Sequence, residues 1–439
     1  MTTVGEPLAG TRPPRDVRGV VLVAFVVLGL VSIWLQHLIT AFDEPFWGLF
    51  DNQLDLDVYR AGAQTVLDGG NLYDAKLLGH MDYTYAPISV LVFTPFAAVP
   101  FLVARILWTA LVFAALYWVI VASFRALGRD VTWRLRVVAI ALVAVSTMLE
   151  PVRSTIWFGQ VNVFLMAVVL ADLLRRRGSR ARGLGAGIAA GIKLTPLIFT
   201  VYLLMTRRTR AAMTSLAGFL GTIAVAFAVL PGDSWKYWTG TFVDSDRVGD
   251  PDTAGNQSLR GLIANLGRTD SPSTLLWVVL AAVVGVLGFA AAHRAHRCGQ
   301  ELLAVTLVGM TSCAVSPMSW GHHWVWFVPL LVIGVHHLLD GRRTVAVAAG
   351  VGVVALVLTS FAWRTRIDGP MIYVGTDHPY ALYTGLFFKY GIDWLRWFTL
   401  APYVWVLVVT AVVTLVTLRR PRDVAAVDAR VSETASPAR

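Results

Sequence analysis

The chain has 439 residues, of which 56% are hydrophobic and 15% charged, and a mean hydropathy of +0.64, values that exclude an ordinary soluble domain of this size. Its net charge of +10 does not mark a nucleic-acid binder, because the arginines gather in short connections between apolar runs rather than along one soluble face. Cys298 and Cys313 lie near a basic connection and inside an apolar run, so they imply no disulfide framework.

In chain order, residues 1–19 carry Arg12, Arg15 and Arg18 and read as a cytoplasmic segment by the positive-inside rule. Val20–Ile39 crosses outward, and the lack of a small-residue cleavage site after it makes it a retained membrane helix. Thr40–Pro87 forms a first external segment. Ile88–Ala98 is a separate or re-entrant piece, and Phe101–Ser123 returns to the arginines at 125, 129, 134 and 136. Val137–Leu149 crosses out and Val161–Leu174 comes back to the basic stretch Arg175–Arg182. Gly183–Leu204 has basic flanks on both sides, which predicts a hairpin that turns at Lys193–Pro196.

Met213–Leu230 leads to a second external loop, Pro231–Pro272, and Leu275–Ala292 returns. Leu302–Val315, Val325–Leu339 and Val345–Phe361 alternate across the membrane before a third external loop, Trp363–Arg396. Thr399–Leu418 then leads inward to a polar, disordered cytoplasmic tail, 419–439. The expectation is an all-α polytopic membrane protein of the plasma membrane, with one transmembrane domain over 20–418 and roughly ten to twelve spanning or re-entrant helices.

The external segments are rich in Trp, Tyr, Asp, Asn and Gln. Such a mixture suits the aromatic belt of a bilayer interface, and it also stacks on sugars and hydrogen-bonds their hydroxyls. The strongest local signal is Asp55-Leu56-Asp57-Val58-Tyr59, followed by a short helix over Arg60–Asp68 with a stop at Gly69-Gly70. Asp55 and Asp57 project to nearly opposite sides of such a helix. An acidic first turn can simply complement the helix dipole, but an ionised carboxylate at the membrane surface can also serve as a general base toward a sugar hydroxyl.

Gly69-Gly70-Asn71-Leu72-Tyr73-Asp74 and Tyr83-Thr84-Tyr85-Ala86-Pro87 come next. They are followed by Gly159-Gln160-Val161-Asn162, Lys193-Leu194-Thr195-Pro196, Asn256-Gln257-Ser258-Leu259 and Ser316-Pro317-Met318-Ser319-Trp320-Gly321-His322-His323-Trp324. In that order these motifs resemble glycosyltransferase family 87, membrane enzymes of the GT-C fold that use polyprenyl-phosphate sugars. Within the family the resemblance is to the actinobacterial polyprenyl-phosphate-mannose-dependent alpha-1,2-mannosyltransferases of phosphatidylinositol mannosides. The tyrosine-region motif departs from the family pattern, with Ala86-Pro87 in place of Pro-Pro.

The resemblance implies Asp55 as the catalytic base, with Asp57 as runner-up, and a site on the outer face of the membrane. It implies a polyprenyl-phosphate mannose donor and a membrane glycolipid acceptor, with no metal, no other cofactor and no nucleic acid. Tyr59, Tyr85, Gln160, Asn162, Lys193, Asn256, Gln257, Arg260, Trp320, His322 and His323 are the candidate substrate contacts, with His322 preferred over its neighbour. Lys193 is an ammonium inside an apolar hairpin, either snorkelling to the surface or neutralising a lipid phosphate. Glu150 with Arg153 is an ion pair or a further lining group, and Asp244-Ser245-Asp246 is too isolated for a metal site.

Two rival readings remain: an arabinofuranosyltransferase of the same family, and a transporter, which would call for paired repeats with broken helices.

Overall fold

The computed structural model describes residues 17–341 except 46, 47, 176, 177 and 254, and beyond them 352, 363–365, 382–384, 394 and 396–418. The expected crossing Val345–Phe361, most of the loop Trp363–Arg396 and the tail 419–439 therefore lie outside the described residues. The chain is overwhelmingly helical. One short antiparallel ladder pairs Trp363–Thr365 with Leu382–Thr384.

Four helices are long and apolar enough to cross a membrane: α1 (Gly19–Ile39), α4 (Phe101–Ala126), α10 (Thr209–Val229) and α13 (Thr274–Arg297). A fifth span is a bent one, α5 (Trp133–Ser146) followed by α6 (Glu150–Phe158) at 79°. Shorter apolar helices complete the bundle: α3 (Ile88–Ala97), α7 (Asn162–Leu173), α14 (Glu301–Val315), α15 (Phe327–Leu339) and Pro402–Thr417. Several of these are too short to cross alone, so the described count of full-length spans falls below the number of segments read from hydropathy.

Three elements matter for the site. The first is α2 (Leu54–Leu67), which begins six residues earlier than the Arg60 start read from the sequence and so puts Asp55 and Asp57 in its first turn. Gln53 stands before it in a left-handed conformation and donates its backbone N–H to Trp157 O at 2.7 Å, tying the start of α2 to the end of α6.

The second element is the expected hairpin. Its rising arm α8 (Leu184–Ile192) runs parallel to α10, because Gly183, Gly187 and Gly191 meet Ala211, Ser215 and Thr222 in the same direction. A Cβ at Gly187 would stand 2.0 Å from Ser215 O, so only glycine lets the two backbones come this close. The Asp172 carboxylate accepts from the backbone N–H of Gly183 at 2.9 Å and of Ala186 at 3.0 Å, capping the start of this arm. After Lys193 and a 3₁₀ turn at Thr195–Leu197, the returning arm α9 (Ile198–Met205) comes back to the start of α10, with Thr200 hydrogen-bonded to Ser215 at 2.8 Å. Lys193 thus sits at the tip, held inside the fold rather than at the basic end.

The third element is the 3₁₀ turn Gly321–His323 between α14 and α15, which rests on α6.

The basic connections contact one another. Arg134 donates to Val17 O at 3.0 Å, Arg129 to His336 O at 3.1 Å, Arg208 grips both oxygens of Glu301 at 2.6 and 2.7 Å, and Arg294 donates to Leu418 O at 2.6 Å.

Candidate active site

Five stretches separated in the sequence meet through side chains. Gly159 ends α6 in a left-handed conformation (φ 71°) that favours glycine, and a Cβ there would lie 2.7 Å from that of Leu56. This close approach brings Gln160 against α2. Its Nε2 donates to the Asp55 carboxylate at 2.6 Å, and its Oε1 accepts from the hydroxyls of Tyr59 and Tyr85 and from Asn162 Nδ2, each at 3.1 Å. The two tyrosine hydroxyls also stand 2.8 Å apart.

Asn162 carries the network onward. Its Oδ1 accepts from Lys193 Nζ at 3.0 Å, and Lys193 also reaches His323 Nε2 at 2.9 Å and stands 5.3 Å from the centre of the Tyr85 ring. An ammonium can only donate, so Nε2 of His323 is the acceptor and the ring proton of the neutral imidazole belongs on Nδ1. Two primary amides therefore run head to tail from a cation to an anion, each oriented by the charge at its end.

The electrostatics follow from burial. Desolvation raises the Asp55 carboxyl from its ordinary value to about 6, opposed by the Gln160 hydrogen bond and by the charge of Lys193. Burial, reinforced by Lys193, holds the His323 imidazole well below its ordinary range and so neutral at pH 7. A carboxylate ionised at neutral pH yet only about one unit below it suits a proton acceptor.

Asp57 behaves as its position on the helix predicts. It is partly exposed and pairs with Arg60 at 3.5 Å, away from the network. Of the two histidines it is His323, not the preferred His322, whose ring meets Lys193. The His322 ring is buried against Phe158 (centroids 5.6 Å apart) and Trp320 (6.4 Å, stacked).

Asn256 and Gln257 are buried and spend their side chains on backbone. Asn256 Nδ2 donates to Pro251 O, its Oδ1 accepts from Ser319 N–H at 3.1 Å, and Gln257 Nε2 donates to Leu400 O at 3.1 Å. Trp320 packs on Gly249 and Gly255 of the same loop. These residues brace the histidine turn. Arg260 lies at the start of α12 (Leu259–Gly267), beside them in sequence.

Sequence reasoning did not foresee how the turn is supported. Glu150 is buried beneath it, accepts from Tyr403 OH at 2.7 Å and from the Ser154 hydroxyl, and lies where a Cβ on Gly321 would come within 2.2 Å of its carboxylate oxygen. Glu150 is thus a floor for the site rather than a wall. Its neighbour Gly321 was the available signal, a glycine before two histidines with no turn to explain it.

The profile of glycosyltransferase family 87 matches residues 83–317, more than half of the chain. A "polyprenol-phosphate-mannose-dependent alpha-(1-2)-phosphatidylinositol mannoside mannosyltransferase" of Mycobacterium tuberculosis (strain H37Rv) is 36% identical over 335 residues, covering 71% of this chain and 77% of the relative. A second relative, the corresponding "phosphatidylinositol pentamannoside mannosyltransferase" of M. tuberculosis (strain CDC 1551), is 34% identical over 387 residues, 85% of each chain. One from Mycolicibacterium smegmatis is 35% identical over 330 residues, 73% of this chain and 78% of its own. No solved structure matches. With a family match over most of the membrane domain and relatives at this identity, the chain belongs to glycosyltransferase family 87.

Proposed function

We propose that the chain moves mannose from a polyprenyl phosphate to a hydroxyl of a phosphatidylinositol mannoside, in one displacement at the anomeric carbon on the outer face of the plasma membrane. The observation that carries this reading is the pairing of a half-buried carboxylate, Asp55, with a cation, Lys193, at opposite ends of one polar chain. Asp55 accepts the proton of the attacking hydroxyl, while Lys193 and neutral His323 donate to the leaving phosphate. A beta-linked donor then gives an alpha-linked product. The relatives' names support mannose over arabinose and a glycolipid as acceptor.

The outer-face placement rests on the basic connections, which lie at the chain ends of the helices opposite Asp55 and read as cytoplasmic. Incubating the purified protein with radiolabelled polyprenyl-phosphate mannose and phosphatidylinositol mannosides tests the reaction, the expected product being a glycolipid longer by one alpha-1,2 mannose. Label that stays on the donor, or that passes only from an arabinose donor, would overturn it. Labelling a Asp57→Cys variant with a membrane-impermeant thiol reagent tests the side, with reaction from the outer side only as the expected result.

A further inference from the structure

The motif Gly69-Gly70-Asn71-Leu72-Tyr73-Asp74 lies between α2 and Tyr85 and reaches the polar chain through one phenol. Tyr73 is 2% exposed, and its hydroxyl donates to the backbone carbonyl of Tyr85 at 2.7 Å. Little else fixes the backbone there. Residues 82–85 join the bridge at Met81 to α3 with no helix or strand of their own, and among the described residues no backbone-to-backbone hydrogen bond reaches Tyr85.

Tyr85 spans the two charges of the site. Its hydroxyl donates to Gln160 Oε1, on the Asp55 side, and its ring centre stands 5.3 Å from Lys193 Nζ. A slide of this residue therefore disturbs both ends of the polar chain at once.

Tyr73 is itself gripped by the second external loop. Asp233, on α11 (Pro231–Thr239), accepts from the backbone N–H of Leu72 at 2.9 Å and from that of Tyr73. Arg247 donates to Tyr73 O at 3.2 Å and pairs with Asp82 at 3.0 Å, while the Tyr237 ring packs on the Tyr73 ring with centroids 5.4 Å apart. Lys236 pairs with Asp74 beside them. The backbone N–H, backbone carbonyl and ring of Tyr73 are thus all held from one loop, and its hydroxyl is left for Tyr85.

We propose that Tyr73 is a positioning residue for transfer: its hydroxyl sets the place of Tyr85, and through it the second external loop acts on Asp55 and Lys193. Naming the reaction it serves rests on the function proposed above. Tyr73 touches no reacting atom in this account. It acts because a buried carbonyl that loses its donor is costly to leave in place, so the Tyr85 segment shifts when the hydroxyl is removed. Gln160 then loses one of the donors that turn its Nε2 toward Asp55, and the hydrogen bond that holds that carboxyl down weakens.

The test uses the full chain in lipid nanodiscs, with mannose transfer from polyprenyl-phosphate mannose to a phosphatidylinositol mannoside followed across pH. Tyr73→Phe removes only the hydroxyl. It should lower kcat roughly three- to tenfold, the worth of one hydrogen bond, with both KM values within about twofold of the unaltered chain. The acidic limb of kcat/KM should also move to higher pH, by about half a unit. Loss of folded protein lowers the rate equally at every pH, so a limb that stays in place overturns the proposal even where the rate falls.

Asp233→Ala should shift kcat and the limb in the same directions, and it decides by the same limb if Tyr73→Phe does not fold. Added to Tyr73→Phe it should cost little more, because both act through one hydroxyl, whereas fully additive losses would show that the loop acts by another route. Gln160→Met serves as reference. If it moves the limb and Tyr73→Phe does not, this inference fails alone. If neither moves it, the assignment of Asp55 as the base fails and this inference with it, and absence of transfer by the unaltered chain defeats the proposed function itself.

Discussion

Gln160 Nε2 donates to the Asp55 carboxylate at 2.6 Å, while on the amide's other side Oε1 takes three donors, from Tyr59, Tyr85 and Asn162. A flipped amide would turn its oxygen toward the Asp55 carboxylate and its NH2 toward Asn162 Nδ2, losing both contacts. It therefore fixes the carboxylate through which the acceptor hydroxyl would lose its proton.

The two aspartates of the first turn of α2 separate on this ground. Asp55→Asn keeps the shape and removes the proton acceptor, so transfer should fall by on the order of 10²–10⁴ while binding of polyprenyl-phosphate mannose persists. Asp57→Asn loses only a partly exposed contact with Arg60, worth about 0–1 kcal/mol, and should keep near-normal activity. Kinetics of the two purified variants decide it, and an inactive Asp57→Asn beside an active Asp55→Asn would place the base two residues on.

A pH profile reads the same group. Desolvation raises the Asp55 pKa to about 6, and the base must be ionised, so kcat/KM should rise through pH 6 and level off above 7. Gln160→Met removes a hydrogen bond that holds this pKa down, so the acidic limb should move to higher pH. A limb that stays put in the variant would show that it reports some other group.

Much of this site was legible in the sequence, and the rest was not, for identifiable reasons. Asp55, Tyr59, Tyr85, Gln160 and Asn162 sit in the ordered motifs that carry the family resemblance, and Lys193 breaks an apolar run, where a charged side chain is too costly to be idle. The hairpin at Lys193 could be read from basic flanks on both sides of a run too short to need two crossings. The preference for His322 over His323 had no local basis, because a 3₁₀ turn rather than a helix carries them and its orientation is set by Glu150 and Tyr403, from 170 residues upstream and 80 downstream, roughly, with no local periodicity to reveal it. The backbone bracing by Asn256 and Gln257 was not legible either, because amides suit backbone bracing as well as sugar binding, and composition does not separate the two.

Lys193 and His323 should act on the leaving phosphate. Lys193→Met removes the cation, and loss of a preorganised donor costs on the order of 10²–10³ in kcat, so kcat should fall more than donor KM rises. His323→Ala should be milder, and His322→Ala milder still toward the donor, since that ring packs on Phe158 and Trp320. Because charge stabilisation is assigned to the protein, activity should persist in EDTA. Loss in chelator with recovery on adding magnesium or manganese would transfer that role to an ion.

The last prediction concerns the floor of the histidine turn. Gly321 lies so close to Glu150 that an added Cβ would stand 2.2 Å from a carboxylate oxygen, and that carboxylate is pinned by Tyr403 and Ser154. Gly321→Ala must push the turn or the glutamate aside, an overpacking that costs typically about 1–3 kcal/mol, and the displacement falls on the turn that carries His323 to Lys193. The variant should therefore lose both thermal stability and transfer, whereas Glu150→Gln, which keeps the shape and still accepts from Tyr403, should retain most of its activity. Combining Gly321→Ala with Glu150→Ala frees the space and should recover part of the lost transfer. If the double variant is no better than Gly321→Ala alone, the contact with Glu150 is not what holds the turn in place.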